Sequence, residues 1–338
     1  MPKLLLSFVV PCYRSASTIG AVVQEISETV SKRADEFNHE IVLVNDGSPD
    51  NVVGVITALA RTYPQIVFVN LSRNFGQHSA IMAGFAHVHG DIVICLDDDG
   101  QTPADECFKL IDKVVEGYDI VYAEYGKREQ NALRNLGSRF NAACNHFFFG
   151  QPKNLKVNSY FACQRFVVDS ALQYPNPFPF VTGLLFQSVS RYCNVPVMHR
   201  ARMEGRSGYT LKKLISLWTN GVTAFSIKPL RFANYIGWLT AVFGFVFALY
   251  TVIRKLVSPN IEAGWSSTIA VLLVLGGIII ALIGVVGEYI GRIYLSINRC
   301  PQYVVRNVID RRSCEPVPTA CEPDALPSES PAEGGDER

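Results

Sequence analysis

From Phe232 to Ile253 the chain runs for 22 residues without a charged side chain, and from Thr268 to Val286 it does so again for 19. At about 1.5 Å per residue the first run gives a helix of roughly 33 Å, enough to cross a hydrocarbon core of about 30 Å. The connection between the runs, residues 254–267, is short, so the two helices are expected to turn back as a hairpin with both flanks on one side of a bilayer. A pair of helices buried in a large soluble core is the competing reading. Lys228 and Arg231 before the pair, and Arg292 and Arg299 after it, assign those flanks to the cytoplasm, while Arg254 and Lys255 in the connection count the other way. The N-terminal "MPKLLLSFVVPCY" has too short an apolar run and no small-residue cleavage site for a secretion signal, so it reads as a first strand. The expectation is an inner-membrane protein with two spans, its soluble domain and both termini in the cytoplasm.

The first 125 residues follow a different rule. Short apolar runs, "LLLSFVVP", "EIVLVND", "IVFVNL", "DIVICLD" and "YDIVYA", alternate with amphipathic stretches that predict helices over about 17–34, 51–62, 77–87 and beyond Pro103. The runs lack strict polar alternation, as strands covered on both faces do, so the fold class is α/β with a mostly parallel central sheet. Between 126 and 198 the pattern loosens: "EQNALRNLGSRFNAACNHFF" reads as a helix and "YPNPFPF" as a proline-broken loop.

These patterns divide the chain into a soluble domain (1–209), an amphipathic interfacial segment (210–231), the hairpin (232–290), a juxtamembrane segment (291–308) and a tail (309–338). In the second of these, Lys212, Lys213 and Trp218 suit a helix lying at headgroup level, the alternative being a surface helix packed on the domain. The tail is rich in Pro, Glu and Ser and too poor in apolar residues to offset the entropy of folding. Gly276, Gly277 and Gly284 permit close packing of membrane helices and with it a homo-oligomer.

A net charge of +1 speaks against a basic nucleic-acid surface. Nine cysteines contain no Cys-x-x-Cys pair, so no zinc or redox motif follows from them. No Gly-rich dinucleotide fingerprint or P-loop occurs at a strand-to-helix junction, which weighs against a nicotinamide dehydrogenase or an NTPase.

In a parallel sheet, functional groups collect beyond the carboxyl ends of the strands. Asp46, Arg73, Asn74 and the run Asp97, Asp98, Asp99 in "ICLDDDGQTP" each follow a predicted strand. Three adjacent carboxylates repel one another. If the segment stays extended, Asp97, Asp99 and Gln101 share one side, and Mg²⁺ or Mn²⁺ held there relieves the repulsion while accepting diphosphate oxygens. A solvated turn is the other reading of the run. Asp98 then points elsewhere, as a cap or hydrogen-bond acceptor. Asp46 suits hydrogen bonds from a base or ribose, or serves its turn alone. Arg73 can take a phosphate in two-pronged fashion beside a helix start near Gln77. For His78, substrate contact and support of the helix start are both open.

Taken in order, "VVPCY", "LVNDGSPD", "RNFGQHSAIMAGF", "LDDDGQTP", "GRSGYTLKKL", "FSIKPLR" and "GEYIGRIY" span residues 9 to about 306. The set resembles the GT-A glycosyltransferases of family 2, within the group that acts on polyprenyl phosphates. The resemblance implies inverting transfer of a single sugar from a nucleotide donor, a UDP-sugar favoured, to undecaprenyl phosphate at the cytoplasmic membrane face. It implies that Pro11, Tyr13 and Asp46 contact the nucleotide and that Asp97, Asp99 and Gln101 surround a divalent metal and the diphosphate, with Asp97 and Asp99 as the catalytic pair. The acceptor phosphate would meet Arg202, Arg206, Ser207 and Lys212.

Three departures from the group's pattern stand out. Arg14-Ser15 occupies the place where relatives commonly carry Asn-Glu, and Gly208 the place where many carry Lys. No carboxylate lies between Glu129 and Asp169, so Asn158 or Ser159 can offer only hydrogen bonds where many relatives have an acid. A phosphate monoester, with a second pKa near 6, is already nucleophilic at neutral pH and does not need a strong base. A processive polysaccharide synthase shares the same features but would extend a chain, and a noncatalytic membrane scaffold would have lost donor binding.

Overall fold

A computed structural model describes residues 3–125, 155–198, 200, 228–257, 264–298 and 300–310. Eight strands form one mixed sheet: β1 (Leu4–Cys12), β2 (Phe37–Asn45), β3 (Ile66–Leu71), β4 (Ile92–Cys95), β5 (Ile120–Tyr125), β6 (Phe161–Gln164), β7 (Tyr192–Val197) and β8 (Val305–Asp310). Their spatial order is β7-β5-β6-β4-β1-β2-β3-β8. The pairs β1–β2, β1–β4, β2–β3 and β5–β7 are parallel, whereas β6 runs antiparallel to β4 and β5 and β8 antiparallel to β3. The sheet is thus α/β and mostly parallel, as expected.

Both faces are covered, which is why the central strands read as continuous apolar runs. On one face α1 (Ile19–Ser31), α2 (Val52–Thr62) and α4 (Cys107–Val115) bury Val23, Ile26, Ile56 and Leu110 against Phe8, Leu43 and Phe68. On the other, α3 (Gln77–Phe85), α5 (Arg165–Leu172) and α6 (Val181–Gln187) bury Met82, Phe85, Val167 and Leu185 against Val9, Val44 and Val93. Gly84 lets α3 approach closely, since a Cβ there would stand 2.5 Å from Cγ1 of Val9.

Chain order sets the position of the site. From β1 the sheet grows outward through β2 and β3, then the chain returns to lay β4 on the other flank of β1. The loops after β1 and β4 therefore diverge and open a crevice between them, the usual ligand position in such sheets.

Two long helices follow, α7 (Lys228–Val257) and α8 (Trp265–Ile297). They contain apolar windows of 18 residues at Leu230–Phe247 and 24 at Val274–Ile297, and the windows are 6% and 0% buried. Large apolar side chains such as Phe243 and Ile280, 73% and 72% exposed, would cost heavily in water, so the pair fits a transmembrane hairpin.

The helices outrun the expected limits. Lys228 and Arg231 belong to α7 rather than to an interfacial segment, and α8 continues through Arg292 to Ile297, well into the expected juxtamembrane stretch. The larger difference is β8. Residues 305–310 straddle the expected start of the tail, yet they complete the sheet beside β3. No residue of "VRNVID" is fully buried, and Arg306 and Asn307 are exposed, which suits an edge strand. The helix expected over "EQNALRNLGSRFNAACNHFF" and the rest of the interfacial segment and tail lie outside the described residues.

Candidate active site

At the carboxyl ends of β1 to β4 four turns converge. The acidic turn is not extended: β4 ends at Cys95, and Gly100 takes φ +70°. The two-residue alternation expected to align Asp97, Asp99 and Gln101 therefore stops before it reaches them. A turn replaces it. Oδ1 of Asp99 accepts the Gln101 backbone N–H at 3.0 Å, folding the carboxylate back over its own turn.

Asp97 is held from two elements. Nε2 of Gln77, at the start of α3, donates to its Oδ1 at 3.1 Å, and Oγ of Ser159 donates to its Oδ2 at 2.5 Å. Asp98 indeed turns the other way: its Oδ2 accepts the Tyr13 N–H at 2.9 Å, and its carbonyl accepts Oγ1 of Thr18 at 2.6 Å. The loops after β1 and β4 are thus laced together across the crevice. Burial pushes the Asp98 carboxyl up to about 6, against the pull of the Tyr13 hydrogen bond.

Asp46, expected either to meet a base or ribose or to serve its turn, is engaged in the turn. It is 3% exposed, and its Oδ1 and Oδ2 accept the N–H groups of Phe75 and Gly76 at 2.7 and 3.0 Å. Burial pushes its carboxyl above the ordinary value, while those two N–H groups oppose the shift. Asn74 completes the tie by donating from Nδ2 to the Asp46 carbonyl at 3.0 Å. The carboxylate is engaged in shaping the neighbouring turn, which carries Arg73 at the surface with its guanidinium stacked 4.8 Å from the Phe75 ring centre.

Tyr13 stands 44% exposed at the mouth, with the Arg14 guanidinium 5.6 Å from its ring centre. Pro11 is a buried residue of β1, opposite Val44. Pairing of β1 with β4 stops at Val9, so the missing N–H of Pro11 interrupts no ladder on that side. His78 supports α3 from within: its ring meets Phe180 edge-on at 5.2 Å, its Nδ1 is enclosed without a partner, and burial depresses its pKa to about 4.

Arg202, Arg206, Ser207 and Lys212 lie outside the described residues. What the structure adds just before them is Arg200. Its guanidinium pairs with Glu25 at 2.9 Å and Asp105 at 2.8 Å, and its N–H reaches the Gln101 carbonyl at 3.4 Å. Ser159 was recognisable only as a hydroxyl where an acid was expected. Gln77 and Arg200 gave no signal, because both act through contacts across 20 or more residues of chain.

Among the described residues no three His, Cys, Asp or Glu side chains gather into a closed metal cage. Mg²⁺ does not require one, since it is commonly held by one or two carboxylates with phosphate oxygens and water in the remaining positions. Asp97 and Asp99 supply only hard oxygen donors at the crevice, and that donor set fits an ion whose coordination a diphosphate completes.

Residues 7–172 match Glycosyl transferase family 2, and residues 228–293 match the GtrB C-terminal hairpin. The uncharacterized glycosyltransferase YkcC of Bacillus subtilis is 31% identical over 89% of this chain and 93% of its own. The undecaprenyl-phosphate 4-deoxy-4-formamido-L-arabinose transferase of Erwinia tasmaniensis is 33% identical over 90% of this chain and 94% of its own, and that of Klebsiella pneumoniae strain 342 is 33% identical over 91% and 94%. Among solved structures, glucosyl-3-phosphoglycerate synthase of Mycobacterium tuberculosis with phosphoglyceric acid covers 66% of this chain and 79% of its own at a TM-score of 0.49 and 21% identity. With relatives 31–33% identical over about nine-tenths of its length, the chain belongs to glycosyl transferase family 2.

Proposed function

We propose that this protein transfers one sugar, with inversion, from a nucleotide-sugar donor to undecaprenyl phosphate at the cytoplasmic face of the inner membrane, a UDP-sugar being the favoured donor. The observation that carries this reading is the 33% identity over 90% of the chain to an enzyme named for transfer to undecaprenyl phosphate, with the sheet domain and the hairpin both matched.

In this reading the donor lies in the crevice between the loops after β1 and β4. The exposed ring of Tyr13 offers a face on which a base can stack, and Arg73 offers a guanidinium for a phosphate. Asp97 and Asp99 would hold Mg²⁺ or Mn²⁺, which when bound offsets the negative charge growing on the departing nucleoside diphosphate. Gln77 and Ser159 keep the Asp97 carboxylate in one orientation, and the turn N–H of Gln101 does the same for Asp99. The acceptor's phosphate oxygen forms the new bond to the anomeric carbon as the bond to the diphosphate breaks. Its second ionisation is largely complete at neutral pH, so no proton has to be removed. Arg202, Arg206, Ser207 and Lys212 are assigned to the acceptor phosphate, and the hairpin keeps that lipid headgroup close to the crevice.

The test is to incubate purified protein with Mg²⁺, undecaprenyl phosphate and a panel of nucleotide sugars, and to weigh the lipid products. A single added sugar is expected. A growing series would assign a processive synthase, and absence of both product and donor binding would assign a scaffold. Asp99→Asn should retain the fold and lower turnover about 100-fold or more, the scale of losing one preorganised charge-stabilising group. Full activity of that variant at saturating metal would reject Asp99 as a ligand.

A further inference from the structure

Three asparagines stand side by side across β2, β3 and β8. Nδ2 of Asn45 donates to Oδ1 of Asn70 at 2.8 Å, and Nδ2 of Asn70 donates to Oδ1 of Asn307 at 2.9 Å. At the other end Oδ1 of Asn45 accepts the backbone N–H of Ser48 at 3.0 Å. That last contact fixes the direction of the whole row. A backbone N–H can only donate, so it must face the oxygen of Asn45; the amide nitrogen of Asn45 then faces the oxygen of Asn70, and the nitrogen of Asn70 faces the oxygen of Asn307. Asn45 and Asn70 are buried, 3% and 8% exposed, where an amide without its partner is costly.

The two ends of this row belong to distant parts of the chain. Asn307 is reached only after the polypeptide has passed through both membrane helices and returned to the sheet. Ser48 sits in the turn after β2, and its Oγ accepts the backbone N–H of Arg14 at 2.7 Å. Arg14 is the one non-glycine among the described residues with positive φ, at 60°, a conformation disfavoured for a side chain of this kind, and it adjoins Tyr13 at the crevice mouth. The same returning segment also grips the next turn: the Val304 carbonyl accepts the Ser72 N–H at 2.8 Å, and Nη2 of Arg306 donates to the Ser72 carbonyl at 3.2 Å, one residue before Arg73.

We propose that Asn307 is a positioning residue for the nucleotide half of the site. Acting through Asn70 and Asn45, it fixes Ser48 and hence the Arg14–Tyr13 turn, so that nucleotide affinity depends on a strand that lies beyond the membrane hairpin. This rests on the reading of the crevice as a nucleotide-sugar site.

The direction of the row supplies a discriminating test, because Asn307 is itself exposed, so a replacement there need not bury a new group. Asn307→Asp keeps an acceptor opposite Asn70. Asn307→Leu removes it, and Asn307→Lys presents only donors. Binding of UDP and GDP to the full-length protein in detergent, measured by calorimetry with Mg²⁺ present, is expected to be unchanged in Asn307→Asp and weakened about five- to tenfold in the Leu and Lys variants, the scale of one lost hydrogen bond. Simple charge attraction to an anionic nucleotide predicts the reverse order, with Lys tightening and Asp loosening. Thermal melting of each variant shows whether the sheet is intact. Wild-type affinity in both Leu and Lys variants, or weakening that only follows loss of folded protein, overturns the inference while leaving the site reading in place. If the wild-type protein binds neither nucleotide, the site reading fails and takes the inference with it.

Discussion

Gly47 lies so close to Asn74 that a Cβ on the glycine would stand 2.3 Å from the asparagine's backbone nitrogen, and also 2.3 Å from the Arg73 carbonyl carbon. Both atoms belong to the main chain and cannot rotate aside. With φ at +58° the position is in addition left-handed. This contact lets the Asp46 turn seat against the Arg73 turn, where the Asp46 carboxylate collects its two N–H groups. Gly47→Ala should therefore destabilise the protein by at least about 1–3 kcal/mol and abolish nucleotide binding. A melting curve and a UDP titration check both, and a variant with wild-type affinity would show that the two turns need not touch.

Asp97 takes its orientation from one residue of α3 and one residue preceding β6. Neither Gln77 nor Ser159 carries a charge, so removing either changes how the carboxylate is aimed and leaves the local charge unaltered. Gln77→Ala and Ser159→Ala are each expected to lower kcat about tenfold and to raise the metal concentration needed for half-maximal activity, in keeping with losses seen when partners of a metal ligand are removed. The double variant should fall short of the product of the two effects, because the first loss already frees the carboxylate. Independent, multiplicative losses in a steady-state metal titration would count against a shared target.

His78 makes the fold sensitive to acid. Its pKa in the folded protein is near 4, against an ordinary value of about 6.5, because burial disfavours the charged ring. The neutral ring's contribution is complete above about pH 6.5. Between 6.5 and 4 the unfolded chain binds the proton that the native state refuses, so stability falls by up to about 3 kcal/mol across that window and levels off below it. His78→Leu, which keeps the contact with Phe180, should flatten this slope. Denaturant unfolding of the isolated protein at pH 7 and pH 5 measures the difference, and equal slopes for both proteins would exclude His78 as its source.

The parallel half of the fold was legible because each of its strands is a continuous apolar run followed by an amphipathic helix, a pattern produced by burial on both faces. The hairpin was legible for the simpler reason that charge is absent. β8 was not, since "VRNVID" is six residues without a two-residue polar–apolar period and its partner strand lies more than 230 residues away. At the site, strand ends identified Asp46 and Asp97 to Asp99 as neighbours in space. The direction in which each carboxylate points was illegible, because it depends on turns: β4 ends at Cys95, before the alternation could align Asp97 with Asp99, and Gly47 lets Asp46 face inward. Gln77, Ser159 and Arg200 act across the fold, and no local pattern marks such contacts.

β3 makes the fold depend on residues that follow the hairpin. Its outer edge is paired with β8 from Val67–Asp310 to Leu71–Val305. A chain ending at residue 227 would keep every other strand but present β3 as an open edge of six buried residues, with Nδ2 of Asn70 deprived of its acceptor on Asn307. Such an edge is a template for pairing with other chains. The truncated protein is expected to aggregate when expressed alone, even though its membrane helices are gone. Adding residues 298–310 back through a flexible linker should restore a monodisperse domain that binds UDP, which size-exclusion chromatography and calorimetry would report. A monodisperse, UDP-binding chain of residues 1–227 would show that β8 is dispensable to the sheet.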